Sequence, residues 1–270
     1  MSPTPGPSVT WADREAQSVA GRVRREQPLV HCLTNIVVAG FTANVLLAAG
    51  ASPAMVENAA EAGIFAAVAG GVLVNLGTLT PGREDAMRGA AAGAQAAGVP
   101  WVLDPVAVGA LEHRTVFARE LLDYRPAIVR GNASEIQALA GEAGTGGRGV
   151  DSLAGSDEAV DAARSLASAC GCVVAVSGAT DYVVDPDQVV EVPGGDPLMT
   201  RVTGVGCALG ALMAAGAGVS PGAFLAAAVG ASALLAEAGA RSAAVSRAPG
   251  SFAVALIDQI DALSADAAGT

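Results

Sequence analysis

The chain has 270 residues, 52% apolar but only 3% aromatic, so Ala, Val, Leu and Gly must fill a core large enough for one sizeable domain. Fifteen basic residues against 26 acidic ones leave a net charge of −11, which argues against nucleic acid or an anionic membrane as the main partner. Every basic residue is Arg, so there is no lysine for a P-loop or a Schiff base, and His31 and His113 are too few for a multi-histidine zinc site.

Residues 1–10, rich in Pro and Ser, are expected to form a disordered tail, with 11–270 a single domain. No basic region followed by an apolar stretch opens the chain, so no signal peptide is expected. An amphipathic helix is predicted over about 11–26. Apolar strand candidates at 29–32, 71–76, 101–104, 127–130 and 173–177 then alternate with helical stretches near 35–49, 57–69, 82–97, 115–124, 132–141 and 157–169. That alternation predicts an α/β fold, a mainly parallel sheet with helices on both faces. Ser52-Pro53-Ala54-Met55 reads as a small-residue turn, and 141–149 as a glycine-rich loop. Segments 182–185 and 189–192 flank Pro186-Asp187-Gln188 and predict an antiparallel hairpin. The last third is helical, near 205–217, 221–240 and 249–265. The apolar runs at 36–49, 208–219 and 223–236 are short or interrupted and read as buried helices. Cys32, Cys170, Cys172 and Cys207 form no C-x-x-C, which suits a reducing cytoplasm.

Ligands of open α/β sheets sit beyond the carboxyl ends of the strands. Here those ends carry Thr34-Asn35, Asn75-Leu76-Gly77-Thr78, Asp104-Pro105, Arg130-Gly131-Asn132 and Ser177-Gly178. A buried strand has no structural need to end this way, so the five ends point to one cleft. Thr203-Gly204-Val205-Gly206-Cys207 precedes a helix, where free N–H groups favour an anion; an ordinary turn capped by Thr203 is the plainer reading. Asn132 and Glu135 have capping-box spacing, and Glu135 can also stand near a hydrated Mg2+. Asp104 can cap the next turn or hold a metal-bound water. Met55 alone reads as core filler, and His31 as a hydrogen-bonded structural histidine. A G-x-S-x-G match at 218–222 lies between helices, and a G-x-G-x-x-G match at 144–149 follows a helix; neither has the strand its chemistry requires.

In chain order, His31-Cys32-Leu33-Thr34-Asn35, Phe41-Thr42-Ala43-Asn44, Gly50-Ala51-Ser52-Pro53-Ala54-Met55, Asn75-Leu76-Gly77-Thr78-Leu79, Leu103-Asp104-Pro105-Val106, Arg130-Gly131-Asn132-Ala133-Ser134-Glu135-Ile136 and Thr203-Gly204-Val205-Gly206-Cys207 resemble the hydroxyethylthiazole kinase family of the ribokinase-like superfamily. The resemblance spans residues 28–215 and implies a ribokinase-like fold. It also implies transfer of the ATP γ-phosphate to 4-methyl-5-(2-hydroxyethyl)thiazole, with Mg2+, in thiamine salvage. A cytoplasmic homotrimer with sites between subunits goes with it. Met55 and Gly204 match substrate contacts, with Thr34 and Asn35 beside them. Arg130 and Ser177 match nucleotide positions, with Asn132 expected beside them; Asn132 and Glu135 match the magnesium-water motif, and Asp104, by its strand-end place, is expected at the same Mg2+ through water. Gly204, Val205, Gly206 and Cys207 match the catalytic turn. Most ribokinase-like enzymes have Asp at position 207, whereas this family has Cys. Val205 replaces the usual Thr and leaves only backbone donors. A free thiol, with a pKa of ~8.5, is mostly protonated at pH 7, but a loose phosphoryl-transfer transition state tolerates a weak base. Two rival readings are a ribokinase-like dehydratase of hydrated nicotinamide nucleotides, whose sites tend to carry Asp at 207, and a non-catalytic thiazole or nucleotide sensor. Whether 142–156 closes over ATP is left open.

Overall fold

Runs of Val, Ile and Leu bury both faces of a strand, and a parallel partner then requires a crossover long enough to hold a helix. The computed structural model describes residues 6–141 and 155–269; residues 142–154, the greater part of the glycine-rich loop and of the segment considered as a cover for ATP, lie outside the described residues. The strands are β1 (Leu29–Leu33), β2 (Ser52–Ala54), β3 (Gly71–Asn75), β4 (Trp101–Asp104), β5 (Ile128–Asn132), β6 (Val173–Ser177), β7 (Thr180–Val184) and β8 (Val189–Pro193). They form one sheet in the order β2-β1-β3-β4-β5-β6-β7-β8. From β2 to β6 all pairs are parallel; β7 and β8 are the antiparallel hairpin.

The helices are α1 (Arg14–Glu26), α2 (Ala39–Ala49), α3 (Ala59–Ala66), α4 (Pro81–Ala97), α5 (Glu112–Leu122), α6 (Ala133–Leu139), α7 (Val160–Cys170), α8 (Val205–Gly218), α9 (Phe224–Val245) and α10 (Pro249–Ala268). One buried cluster joins α1, α2, α8, α9 and α10 to the sheet, and a second joins α3 to α7 to the other face. The predicted α/β architecture is therefore present. α9 is long and apolar enough to cross a bilayer by composition alone, yet 61% of its most apolar window is buried inside the fold. α8 lies against β3 and β4 because both surfaces are pared to glycine. A Cβ at Gly71 would strike the Ala214 carbonyl, and one at Gly210 would come within 3.0 Å of Leu73 Cδ1.

Two sequence expectations need correction. Ser52–Ala54 is an edge strand, register-paired with Leu29–His31, rather than a turn. Three small residues carry no apolar alternation, and Pro53 is tolerated there because an edge strand has a side that needs no donor. Residues 7–9, placed in the disordered tail, run beside β8: Glu191 N donates to Pro7 O at 3.0 Å and Val9 N donates to Glu191 O at 2.8 Å.

Candidate active site

All parallel strands finish on the same side of the sheet, and the N-terminus of α8 arrives there. Gly204 makes this approach feasible. Its φ is +97°, and a Cβ would lie 2.7 Å from Val38 Cβ, so only glycine admits both the turn and the loop after β1. Thr203 does not cap α8, whose N-cap is Gly204 without a side-chain bond. The first-turn amides are thus left to an incoming anion. Val205 packs its side chain into the core and offers the site only its backbone. At Gly206 a Cβ would sit 2.8 Å from both Nη atoms of Arg130, so the guanidinium lies directly against this turn.

Arg130 comes from β5, with its side chain 13% exposed. Its Nε donates to Ser177 Oγ at 3.1 Å, and Nη1 stands 3.7 Å from Asp104 Oδ2. Burial alone would weaken its hold on the proton, but Asp104 and Glu135 outweigh it and strengthen that hold. Asp104 closes β4 with no exposure; its Oδ2 accepts from Asn75 Nδ2 at 2.5 Å. Burial, and secondarily the charge of Glu135, pushes its carboxyl up to about 7 against the pull of Arg130 and Asn75.

Glu135 is the N3 residue of α6. Its Oε2 accepts from Asn132 N and its Oε1 from Ala107 N, both at 2.9 Å, while Asn132 Oδ1 accepts from Glu135 N at 3.0 Å. The predicted capping box is therefore present. Burial raises the Glu135 pKa, and the two backbone donors and Arg130 oppose the rise. Asp104 Oδ1 is buried with no hydrogen-bond partner. An orphaned carboxylate oxygen beside a second desolvated carboxylate suits a divalent cation. With no cluster of three or more His, Cys, Asp or Glu among the described residues, such a cation would take most of its shell from water and phosphate oxygen.

Cys207 is half-buried in the first turn of α8. Burial first, and Asp104 second, push its thiol up to about 12; Arg130 and the Asn75 amide only partly offset this. The free-thiol value used in the sequence reading is therefore too low for this setting. At neutral pH Cys207 is a protonated thiol.

The residues matched to substrate contacts follow β1, β2 and β3. Thr34 follows β1, fully buried, with its Oγ1 unpartnered. Asn35 caps the short turn at Ile36–Val38, its Oδ1 accepting from Val37 N at 3.0 Å. Gly77 presses on it so closely that a Cβ would lie 2.6 Å from Asn35 Cβ. Met55 follows β2 and packs against the same cluster as Phe41 and Val205. Asp104, Arg130, Ser177, Glu135, Asn132, Gly206 and Cys207 thus gather around β4, β5 and α8. Met55, after β2, stands three strand positions from β4 and four from β5, roughly 14 to 19 Å at ordinary sheet spacing. Gly204, touching Val38 and Phe41, joins the two halves. His31 is structural: Nε2 lies 2.8 Å from Val56 O, and the ring meets Phe65 edge-on.

Two buried or half-buried side chains beside these groups, Asp181 and Arg83, had no role in the sequence reading, and Asn75 was named there only as a strand end. Asn75 bonds Asp104 and also accepts from Gly77 N at 2.9 Å. Asp181 accepts from Gly178 N at 3.0 Å and from Ser232 Oγ at 2.9 Å, and its charge adds to the field on Arg130. Arg83 bonds three loops at once. The available signals were an Asn closing an apolar strand, an Asp three residues past a Ser-Gly turn, and an Arg in a helix's first turn.

A profile of the Hydroxyethylthiazole kinase family matches residues 21–266. A hydroxyethylthiazole kinase of Kineococcus radiotolerans is 53% identical over 267 residues, 99% of this chain and 94% of that relative. The solved hydroxyethylthiazole kinase of Pyrococcus horikoshii OT3 superposes with a TM-score of 0.85 at 36% identity, covering 93% of this chain and 94% of that one. A ribokinase-like superfamily protein of Enterococcus faecalis V583, only 10% identical, shares the fold with a TM-score of 0.64 over 95% of this chain and 96% of its own.

Proposed function

The chain belongs to the hydroxyethylthiazole kinase family, and from that premise we propose how its strand-end cleft phosphorylates the hydroxyethyl arm of 4-methyl-5-(2-hydroxyethyl)thiazole with ATP, in thiamine salvage. The carrying observation is the meeting of two anion-binding devices across Gly206. The uncapped first turn of α8 supplies N–H donors, and Arg130 supplies a buried guanidinium against them. Such a pair suits the migrating phosphoryl group, whose transition state is stabilised mainly by position and charge.

In this reading the alcohol is held beside Met55, Thr34 and Asn35, and its oxygen attacks the γ-phosphorus in line. The β–γ bridging bond breaks with its electron pair leaving on ADP, and the alcohol proton passes to a phosphate oxygen or water. Cys207 removes no proton; its thiol fills space beside the acceptor oxygen. Arg130, fixed by Ser177 and Asp104, faces the phosphates, and Asn132 shapes the nucleotide side through its cap. Bound at Asp104 and Glu135 through water, Mg2+ would supply charge neutralisation for the phosphates; the orphaned Asp104 oxygen supports that placement. A homotrimer with sites between copies fits the distance of Met55 from Arg130 and the exposure of Ile36 and Val37, 61% and 69%, beside Asn35. Four free cysteines suit a cytoplasmic setting.

The test is ADP release from ATP with the thiazole alcohol, with and without Mg2+, and with a pyrimidine alcohol in parallel. Thiazole- and Mg2+-dependent release is expected. A folded protein that releases no ADP with the thiazole refutes the assignment.

A further inference from the structure

We infer that Arg83 is a positioning residue for the acceptor alcohol, acting as a clamp on the three loops that follow β2, β1 and β3. This rests on the functional reading above. Arg83 is the third residue of α4, in a first turn where the helix's own field disfavours a cation. The stability of α4 therefore gives no reason for an arginine here. Nor is it a solvated surface group: its side chain is only 12% exposed.

Its bonds supply the reason. Nη2 donates to the Thr34 carbonyl at the end of β1, and also to Glu57 Oε1 at 2.7 Å, two residues beyond Met55. Nη1 donates to Thr78 Oγ1, beyond β3, at 3.1 Å. The same hydroxyl accepts from Ile36 N at 3.0 Å, one residue past Asn35. Thr78 is held at φ +52°, a conformation that a β-branched residue avoids unless its surroundings enforce it. One planar guanidinium thus sets the spacing of Thr34-Asn35, the Met55–Glu57 segment and Thr78, which follow three neighbouring strands. Those residues line the acceptor half of the cleft. The nucleotide half is held by other bonds, between Arg130, Ser177, Asn132 and Glu135. A point-charge ammonium cannot serve three acceptors in one plane, so Lys is no substitute.

The experiment measures KM for the thiazole alcohol and KM for ATP separately in wild type, Arg83→Lys, Arg83→Gln and Glu57→Gln, with circular dichroism as the folding check. Both Arg83 variants should raise the thiazole KM at least tenfold while the ATP KM stays within twofold. Glu57→Gln, a half-exposed change that keeps the fold safe, should raise the thiazole KM about threefold. Its effect should largely vanish on top of Arg83→Gln, because both remove the same clamp. An unchanged thiazole KM in folded Arg83→Lys or Glu57→Gln overturns the inference, as does an equal rise in both KM values. If wild type itself ignores the thiazole, the functional reading fails first and this clamp falls with it; active wild type with unaffected variants sinks only the clamp.

Discussion

Gly206→Ala should lower activity, because the added Cβ intrudes on Arg130. Gly206 is the second residue of α8, so a Cβ suits its backbone, and the ~1 kcal/mol of helix propensity it adds offsets only part of the loss at Arg130. That Cβ would lie 2.8 Å from both Nη atoms of Arg130, where ordinary contact begins at 3.4 Å, so the guanidinium must retreat by about 0.6 Å. Arg130 is not free to do so. It is tied to Ser177 Oγ at 3.1 Å and lies 3.7 Å from Asp104, so the retreat stretches that hydrogen bond past its ordinary range. Losing one hydrogen bond to a charged group costs ~1.5–3 kcal/mol of stability, and a guanidinium weakened by a comparable amount toward the phosphates loses about 10- to 100-fold in kcat/KM for ATP. The assay is coupled ADP release across ATP concentrations, paired with urea unfolding. Wild-type kcat/KM for ATP in the Gly206→Ala protein would refute the reasoning, because the contact with Arg130 is what makes this glycine functional. Gly204→Ala is the control: its φ of +97° and the contact with Val38 predict that stability and activity fall together.

Cys207→Ala should keep activity within about tenfold of wild type, and far above Arg130→Ala, since a thiol pushed up to about 12 is no base at neutral pH; steady-state rates that rank the two variants equally contradict this. Cys207→Asp should remain active, and a folded but dead variant would count against the reading. Asp104 holds its proton up to about pH 7 in the folded chain instead of 3.8, so the native state binds more protons between those values and stability falls as pH rises through them. Relative to Asp104→Asn, wild type without nucleotide should lose on the order of 4 kcal/mol between pH 4 and pH 8. Urea unfolding at the two pH values checks this, and parallel curves for the two proteins would refute it. Mg2+ with ATP should accordingly raise the melting temperature of wild type more at pH 8 than at pH 5.

The central strands were legible because their apolar runs are continuous: 101–104 and 173–177 read as β4 and β6 residue for residue. β2 was not, because three small residues around a proline carry no period. The cleft was legible wherever a polar residue closes an apolar strand, as at Asp104, Arg130 and Ser177. Asp181 and Arg83 escaped because what gives them a role is distant in sequence: Ser232 lies 51 positions from Asp181, and Thr34 lies 49 from Arg83. Cys207 could be located but its chemistry could not, since its proton is held by burial against Asp104, a property of the folded packing alone.

A sheet of this width has two open margins, each a template on which a stranger's backbone could lay down a ninth strand. Here one is blunted by Pro53, which has no N–H to offer, and the other is already taken where Pro7 and Val9 bond Glu191. Residues 7–9, which look dispensable, therefore sit as a guard rail on that margin. Trimming them should leave catalysis at low concentration unchanged and shorten the time to visible aggregation on storage.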